Sequence, residues 1–266
     1  MIDAHVHVWR LGANGCTWPT PDLAPIHRDF DLADYRAASA GAGIDRVVLV
    51  QSQEDAADTR WLLSLAERDV LVAGVVGWSP LDDARAIDRL AAHPKLVGLR
   101  PMVQDRAADW YDAAERDPAL AAMARHGLVL DALVRPAHLP ALARLADRHP
   151  ELAIVVDHAA KPVFTDFDAW ADAIRHVAAR ANIACKLSGL VTEWRRGDPP
   201  EAIERAIAVI REAFGAERLL WGSDWPVLTL AADFAGWLGR ARAAIPKAEH
   251  AAVFHGAACR LYGFTA

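Results

Sequence analysis

The sequence predicts a single-domain α/β protein, a (β/α)8 barrel, and two observations lead to that prediction. Eight short apolar runs alternate with longer amphipathic stretches rich in Ala, Leu and Arg along the whole chain. The 266 residues suit eight strand–helix repeats, and no linker or shift in composition divides residues 1–266. An open doubly wound sheet is the competing architecture. Such sheets usually carry a Gly-rich phosphate loop after the first strand, and WRLGANGCTWP does not have that form.

The strands and helices are predicted in order from these runs. The predicted strands are IDAHVHV, RVVLVQS, LVAGVVGW, LVGLRPMV, LVLDALV, AIVVDH, IACKLSG and LLWGSDWP. The main predicted helices are DAADTRWLLSLAERD, DDARAIDRLAAH, PALAAMARHG, AHLPALARLADRH, FDAWADAIRHVAARAN and EAIERAIAVIREAFG. Residues 12–30 contain several prolines and predict a long loop over one mouth of the barrel, which can distort it. The stretch AEHAAVFHGAACRLYGF predicts a closing helix.

Composition excludes several classes of function. With 53% hydrophobic residues the chain can form a core, and a net charge of −6 provides no basic surface for nucleic acid. No stretch has the length and apolarity of a membrane span, and the start of the chain lacks the pattern of a signal peptide. Three widely spaced cysteines without a C-x-x-C motif indicate a reducing compartment. We therefore expect a cytoplasmic protein with a small-molecule partner, and assembly into a homo-oligomer stays open.

The first predicted strand carries an unusual polar pattern. Asp3, His5 and His7 alternate with small apolar residues. Because the side chains of a strand alternate between its two faces, these three polar residues are predicted to share one face. A face that can bind protons or metals suits the inner wall of an active site better than an edge strand.

Polar residues also interrupt the other strands near their carboxyl ends, where barrel enzymes carry their catalytic groups. They include Gln51, Arg100, Asp131, Asp157, His158, Lys186, Ser188 and Asp224. Burying such groups costs free energy unless they are paired or hydrated, so each also has a structural interpretation. Lys186 can pair with Asp157 or Asp131 inside the barrel. Arg100 can form a salt bridge at the barrel end, and Asp224 can cap the following helix.

The combination of motifs is more specific than any one residue. H-x-H on the first strand, a His after the sixth and an Asp after the eighth resemble the amidohydrolase superfamily over the whole chain. DAHVHVW, DHAAKP and LLWGSDWPV resemble its amidohydrolase 2 type and sugar lactonase branch, which includes L-fuconolactonases and L-rhamnonolactonases. The resemblance implies a central catalytic cluster of His5, His7, His158 and Asp224. It also implies substrate contacts from Arg100 and the neighbouring loops.

The resemblance is incomplete at positions that bind two metals. Members with two metals usually have a bridging Lys or Glu on the fourth strand and often a His on the fifth. Here the fourth strand carries Arg100, and LVLDALV contains no His. We therefore expect that no cofactor is required. A single incidental zinc through His5, His7 and Asp224, with His158 as a further candidate, stays chemically open.

The expected reaction is hydrolysis of a sugar-acid lactone with a 1,4- or 1,5-ring. Asp224 is predicted to act as general base and then as general acid. The histidines or Arg100 are predicted to stabilise the negative charge on the carbonyl oxygen. Two alternatives remain: a single-zinc decarboxylase of an unsaturated or aromatic acid, and a non-catalytic barrel that binds a sugar acid.

The walls of the site are predicted from residues near the strand ends. Gln51, Lys186 and Trp225 are the further predicted substrate contacts. Several Trp residues, Trp18 among them, fall in loops on the catalytic side, and Trp faces stack well on the apolar faces of sugars. One Arg and one Lys are too few cations to hold a polyanion, so a sugar lactone suits these walls better.

Overall fold

The computed structural model describes residues 1–265 and contains one parallel sheet closed into a barrel. Its strands pair in sequence order, each with the next. They are β1 (Ile2–Val6), β2 (Arg46–Val50), β3 (Val72–Gly77), β4 (Leu96–Leu99), β5 (Val129–Ala132), β6 (Ile154–Val156), β7 (Ile183–Leu187) and β8 (Leu219–Trp221). A parallel bridge between Val6 and Trp225 joins the β1 and β8 ends of the sheet. The predicted (β/α)8 barrel is confirmed. Gln51, Arg100, Asp157 and Asp224 follow the ends of their strands, whereas Asp131 and Lys186 lie within β5 and β7.

Helices follow every strand and cover the outside of the barrel. They are α1 (Leu32–Ala38), α2 (Ala56–Arg68), α3 (Ala84–Ala91), α4 (Asp117–Arg125), α5 (Leu139–Arg148), α6 (Phe167–Ala178), α7 (Leu190–Glu193), α8 (Ala202–Phe214), α9 (Phe234–Ala244) and α10 (Ala257–Tyr262). The six main predicted helices correspond to α2–α6 and α8, whereas α1 and α9 were not predicted. Within residues 1–265, none of the helices combines the length and apolarity needed to cross a bilayer.

The lower half of the barrel interior, toward the amino-terminal ends of the strands, is apolar. Every strand contributes to this lower core, which contains Ile2, Ala4, Val48, Val50, Val76, Val97, Val129, Val155, Ala184 and Leu220. Ala257, Ala258 and Tyr262 of α10 pack against it. The predicted closing helix therefore seals the mouth opposite the strand ends that carry the polar residues.

The first strand is irregular, and the prediction that Asp3, His5 and His7 share one face is wrong. The pairing of β1 with β2 shifts register between Asp3 and Val6. Asp3 lies on the outer side, where its carboxylate accepts a hydrogen bond of 3.0 Å from the hydroxyl of Tyr35 in α1. His5 and His7 lie inside the barrel. A bulge changes the face that later residues occupy, and here it separates Asp3 from the two histidines.

The predicted long loop after β1 lies over the carboxyl-terminal mouth of the barrel. An antiparallel bridge between Trp9 and Phe30 joins its two ends. The side chain of Gln53 accepts a hydrogen bond of 3.0 Å from the N–H of Thr17 and donates one of 2.7 Å to the carbonyl oxygen of Trp18. These bonds hold Trp18 at the rim of the cavity beneath the loop.

Candidate active site

A cavity of about 690 Å³ opens at the carboxyl-terminal ends of the strands. Its floor is formed by His7, Arg100, His158 and Asp224, which follow β1, β4, β6 and β8. Trp18 and the polar residues of the strand–helix loops form its rim. The volume is within the range of small-molecule sites, roughly 300–1,000 Å³.

Three imidazoles converge on the carboxylate of Asp224. Its Oδ1 lies 3.5 Å from Nε2 of His7, 3.7 Å from Nε2 of His5 and 3.9 Å from Nε2 of His158. The Nε2 atoms of His5 and His7 are 3.2 Å apart. His5 is fully buried directly beneath the floor. The fold therefore brings the four residues of the predicted catalytic cluster into one group.

The turns that present Asp224 and His158 have left-handed backbone conformations. φ is 59° at Asp224 and 51° at His158, and it stays positive through Lys161. Residues other than glycine rarely adopt such angles, and strain of this kind concentrates at functional sites. The N–H of Asp224 donates to the carbonyl oxygen of His5 at 2.9 Å, which fixes the turn against β1.

Two glycines make room for the histidines. A Cβ atom at Gly222 would lie 2.6 Å from Cβ of His5, and one at Gly189 would lie 2.5 Å from Nδ1 of His158. Neither approach is tolerated, so any side chain at these positions would displace the neighbouring histidine. In the native arrangement, Nδ1 of His158 is 2.9 Å from the hydroxyl of Ser188 and hydrogen-bonds to it.

A layer of buried charges, the ion layer, extends from Arg100 on the cavity floor to Asp131, Asp157 and Lys186 beneath it. Lys186 forms a close ion pair with Asp131, and its Nζ is 3.1 Å from Asp157. Nη1 of Arg100 is 3.5 Å from the other oxygen of Asp157. Tyr262 of α10 donates a hydrogen bond of 3.0 Å to Asp131. Alternating charges offset part of the cost of removing them from water.

Arg100 is held rigidly at the end of β4. Its guanidinium donates to the backbone carbonyl of Gln51, and the Gln51 side-chain amide donates to the backbone carbonyl of Arg100 at 2.8 Å. The side chains of Gln51 and Lys186 are fully buried and lie behind the cavity lining. These two predicted substrate contacts are thus placed where they support Arg100 and His5.

Trp225, the remaining predicted substrate contact, also lies behind the cavity wall. It is 3% exposed and packs edge-on against Phe30 and Tyr35, with ring centroids 5.3 and 5.6 Å away. The turn after β8 directs it toward α1 instead of the cavity. Trp18 is the tryptophan that lines the cavity.

Several cavity residues were assigned no role from the sequence. Lys161 lies in the left-handed turn after β6, and its Nζ is 3.6 Å from Glu193. Gln53 orients the loop that carries Trp18. The sequence carried a signal for both: Lys161 belongs to the motif DHAAKP, and Gln53 is among the polar residues that end the second predicted strand. The rim also carries four carboxylates, those of Glu54, Asp55, Asp105 and Glu193.

The surroundings shift the pKa values of the floor residues in directions that suit catalysis. Burial alone would raise the pKa of Asp224, but the imidazoles of His158 and His7 lower it below its ordinary value. Burial lowers the pKa of His158 to about 4. Burial and the charge of Lys186 lower the pKa of His5 well below its ordinary value. At neutral pH an ionised carboxylate therefore lies beside the neutral imidazoles of His5 and His158.

The same side chains offer donor atoms for a metal ion. His5, His7 and Asp224 form one such group, and His5, Asp157 and His158 form a second. The donor atoms of the first group are 3.2, 3.5 and 3.7 Å apart. Ligands of a tetrahedral zinc ion, bound at about 2.0–2.2 Å, lie about 3.3 Å apart. The spacing of the first group therefore fits a single divalent ion.

Comparison with known proteins identifies close relatives. The sequence matches the amidohydrolase family over residues 2–264. It is 44% identical to an L-fucono-1,5-lactonase of Burkholderia ambifaria, over 98% of this chain and 94% of that protein. It is 34% identical to an L-fucono-1,5-lactonase of Burkholderia multivorans, over 98% of this chain and 95% of that protein. The crystal structure of an amidohydrolase from Burkholderia multivorans with bound zinc has a TM-score of 0.90 and 34% identity, covering 99% of both chains.

These matches agree with the motifs and with the fold. They extend from β1 to the segment after α10 and include every turn that contributes to the cavity floor. The predicted resemblance is confirmed, and the chain belongs to the amidohydrolase family.

Proposed function

We propose that this chain hydrolyses a sugar-acid lactone, with L-fucono-1,5-lactone as the first substrate to test. Two L-fucono-1,5-lactonases, at 44% and 34% identity over nearly the whole chain, support a sugar lactone hydrolase, which is a carboxylic ester hydrolase. The structural observation that carries the proposal is the position of Asp224. Its carboxylate lies on the cavity floor within 4 Å of three imidazole nitrogens.

Asp224 is the proposed general base and then the general acid. Its lowered pKa keeps the carboxylate ionised at neutral pH, so it can accept a proton from water. The water oxygen bonds to the lactone carbonyl carbon as that proton leaves. The bond from this carbon to the ring oxygen then breaks, and Asp224 returns the proton to the ring oxygen. One carboxylate serves both steps because they occur in sequence.

Arg100 and His158 are proposed to stabilise the negative charge that develops on the carbonyl oxygen. Both side chains line the cavity floor. The contacts of the Arg100 guanidinium with Gln51 and Asp157 fix its direction. A charge that is already oriented stabilises the transition state without the cost of reorganising solvent.

The charge distribution around the cavity favours a neutral substrate. The rim carboxylates of Glu54, Asp105 and Glu193 are paired with Arg106, Arg135 and Lys161, and Arg100 on the floor is paired with Asp157. An anionic substrate would have to displace one of these carboxylates to reach a cation, whereas a neutral substrate would not. A sugar lactone is uncharged, but the unsaturated or aromatic acid of the alternative decarboxylase carries a negative charge. The rim therefore supports the lactonase over the decarboxylase.

We further propose that the reaction needs no metal ion. A divalent ion held by His5, His7 and Asp224 would act as a Lewis acid toward water or the carbonyl group. Asp224 and Arg100 already supply the base and the positive charge. Nη1 of Arg100 is also 3.5 Å from Nε2 of His5, and a cation at this distance opposes a second cation on the same nitrogen.

Chelation tests the metal requirement. Enzyme dialysed against a chelator, and shown by elemental analysis to be free of zinc, is expected to keep most of its activity on L-fucono-1,5-lactone. A buffer-dialysed sample from the same preparation serves as the control. Activity that disappears with the metal and returns with added zinc would contradict metal-free turnover.

A screen of sugar lactones tests the reaction itself. Ring opening releases an acid, so turnover can be followed by pH-stat with L-fucono-1,5-lactone and its stereoisomers. The variant Asp224→Asn keeps the shape of the cavity and controls for spontaneous hydrolysis. Binding of a sugar acid without turnover of any lactone would favour the non-catalytic alternative.

A further inference from the structure

Lys186 lies beneath His5 and determines which imidazole nitrogen carries the hydrogen. Nζ of Lys186 is 3.1 Å from Nδ1 of His5. An ammonium group has three hydrogens and no lone pair, so Nδ1 must act as the acceptor. A neutral imidazole carries one hydrogen, which in His5 is therefore on Nε2, the nitrogen that faces the cavity floor.

His7 is held in the opposite tautomer. Its Nδ1 is 2.8 Å from the carbonyl oxygen of Val50, which can only accept a hydrogen bond. Nδ1 of His7 therefore carries the hydrogen, and Nε2 has the lone pair. Nε2 of His5 and Nε2 of His7 are 3.2 Å apart, with a donor opposite an acceptor. In these contacts each group donates a hydrogen bond to the next, from Lys186 through His5 and His7 to the carbonyl oxygen of Val50 in β2.

Arg100 does not compete effectively with Lys186 for control of the tautomer. Its Nη1 is 3.5 Å from Nε2 of His5, at the outer limit of a hydrogen bond and farther than Lys186 is from Nδ1. The guanidinium donates instead to the carbonyl oxygen of Gln51, and it faces the negative charge of Asp157.

We propose that Lys186 is a positioning residue that makes the triangle of His5, His7 and Asp224 a water site instead of a metal site. The proposal rests on the lactone hydrolysis proposed above. A water molecule that replaces the direct contact between the two imidazoles meets one donor, Nε2–H of His5, and two acceptors, Nε2 of His7 and the carboxylate of Asp224. A water molecule complements this set: it donates both hydrogens, accepts one hydrogen bond and keeps one lone pair for attack on the lactone carbonyl.

A metal ion requires the opposite tautomer of His5, because each ligand must offer a lone pair. The hydrogen of His5 would then be on Nδ1, where it would face the ammonium of Lys186 at 3.1 Å. Metal-bound histidines ordinarily donate this N–H to an oxygen. Oδ1 of Asp157 lies 3.6 Å from Nδ1 of His5, but Nζ of Lys186 is only 3.1 Å from each of these two atoms. Lys186 therefore opposes metal binding by His5.

The tautomers can be measured in the wild-type protein. Long-range ¹H–¹⁵N correlation spectra of protein labelled with ¹⁵N-histidine distinguish the two neutral tautomers, and single His→Gln variants assign the signals. We expect hydrogen on Nε2 of His5 and on Nδ1 of His7. A His5 signal with hydrogen on Nδ1 would overturn the proposal, because it would show donation to Asp157 in place of acceptance from Lys186.

Zinc titration provides the second test. Lys186→Met frees Asp157 to accept from Nδ1 of His5, so we expect zinc to bind about 10–100-fold more tightly than to the wild type, the usual size of such an outer-shell effect. Lys161→Met removes one positive charge from the cavity without touching His5, and its zinc affinity is expected to change less than that of Lys186→Met. Equal affinities for the wild type and Lys186→Met would overturn the proposal.

A charge-balanced variant guards against misfolding. If Lys186→Met does not fold, the double variant Lys186→Met with Asp131→Asn removes both members of the close ion pair and leaves an amide near Tyr262. The same zinc result is expected from it. Neither measurement uses lactone turnover. An inactive wild type with the expected tautomers would therefore reject the proposed reaction while leaving the assignment of Lys186 intact.

Discussion

The two halves of the barrel interior use burial in different ways. In the lower core, side chains such as Val48, Val129 and Leu220 pack against one another and against α10. Each such side chain stabilises the fold by about 1.5–3 kcal/mol relative to exposure to water. In the upper half, the ion layer and the cavity floor bury charged and polar groups, among them Asp157 and Asp224. Buried ion pairs often contribute little net stability.

The difference separates stability from chemistry within one barrel. Burying the polar residues of the upper half is expected to stabilise the fold less than apolar side chains of the same volume would. The presence of these polar residues is therefore best explained by their role in the reaction. Substitutions there should change the rate more than the free energy of unfolding. Substitutions in the lower core should do the reverse.

Among substitutions in the upper half, we expect those of Asp224 to reduce the rate most and those of Arg100 to rank second. Arg100→Met removes a charged donor near the developing oxyanion, so kcat/KM should fall by roughly 10–1,000-fold. Steady-state kinetics on the best lactone, with circular dichroism to confirm folding, measure the effect. A folded variant with unchanged kinetics would mean that Arg100 serves only as a partner for Asp157.

Gly189→Ala tests the packing behind His158. The added Cβ would lie 2.5 Å from Nδ1 of His158, so we expect the imidazole to move and kcat to fall by about 10-fold. Gly127→Ala is the matched control, because Gly127 has a similar φ of 66° and open space around its Cβ position. Both variants should lose about 1–2 kcal/mol of stability, since Ala is strained at such angles. Equal kcat values for both would contradict the proposed role of His158.

Val129→Ala should have the smallest effect on the rate. Val129 is fully buried in the lower core, and removing two methyl groups should reduce the free energy of unfolding by about 2 kcal/mol. The value of kcat should stay within about twofold of the wild type. Chemical denaturation and steady-state kinetics measure the two quantities. A loss of rate comparable to that of Arg100→Met would erase the distinction between the two halves.

Much of the fold could be predicted because the strand and helix periods are clear in the sequence. The cavity floor was predictable for the same reason: residues after parallel strands meet at one end of a barrel, which brought His7, Arg100, His158 and Asp224 together. The predicted pairing of Lys186 with acidic residues inside the barrel is confirmed.

Other features depend on local irregularity and could not be predicted from periodicity. Alternation placed Asp3 beside the histidines, but the register shift in β1 moves it to the outer side. Trp225 lies next to Asp224 in the sequence, yet the left-handed turn sends the two side chains in different directions. The role of Gln53 depends on a loop about 35 residues earlier in the chain, which no local pattern encodes.

The most direct test of the account is the kcat of metal-free Asp224→Asn across a range of pH. The amide keeps the shape of the side chain but cannot transfer protons, so kcat should fall by at least ~10²–10⁴-fold while ligand affinity survives. Because the pKa of Asp224 is lowered, the wild-type rate should decline only below the ordinary pH range of a carboxyl group, as the base becomes protonated. The variant should lack that decline. Near-normal turnover with the same acidic limb would show that another group, with His158 the first to test, activates the water.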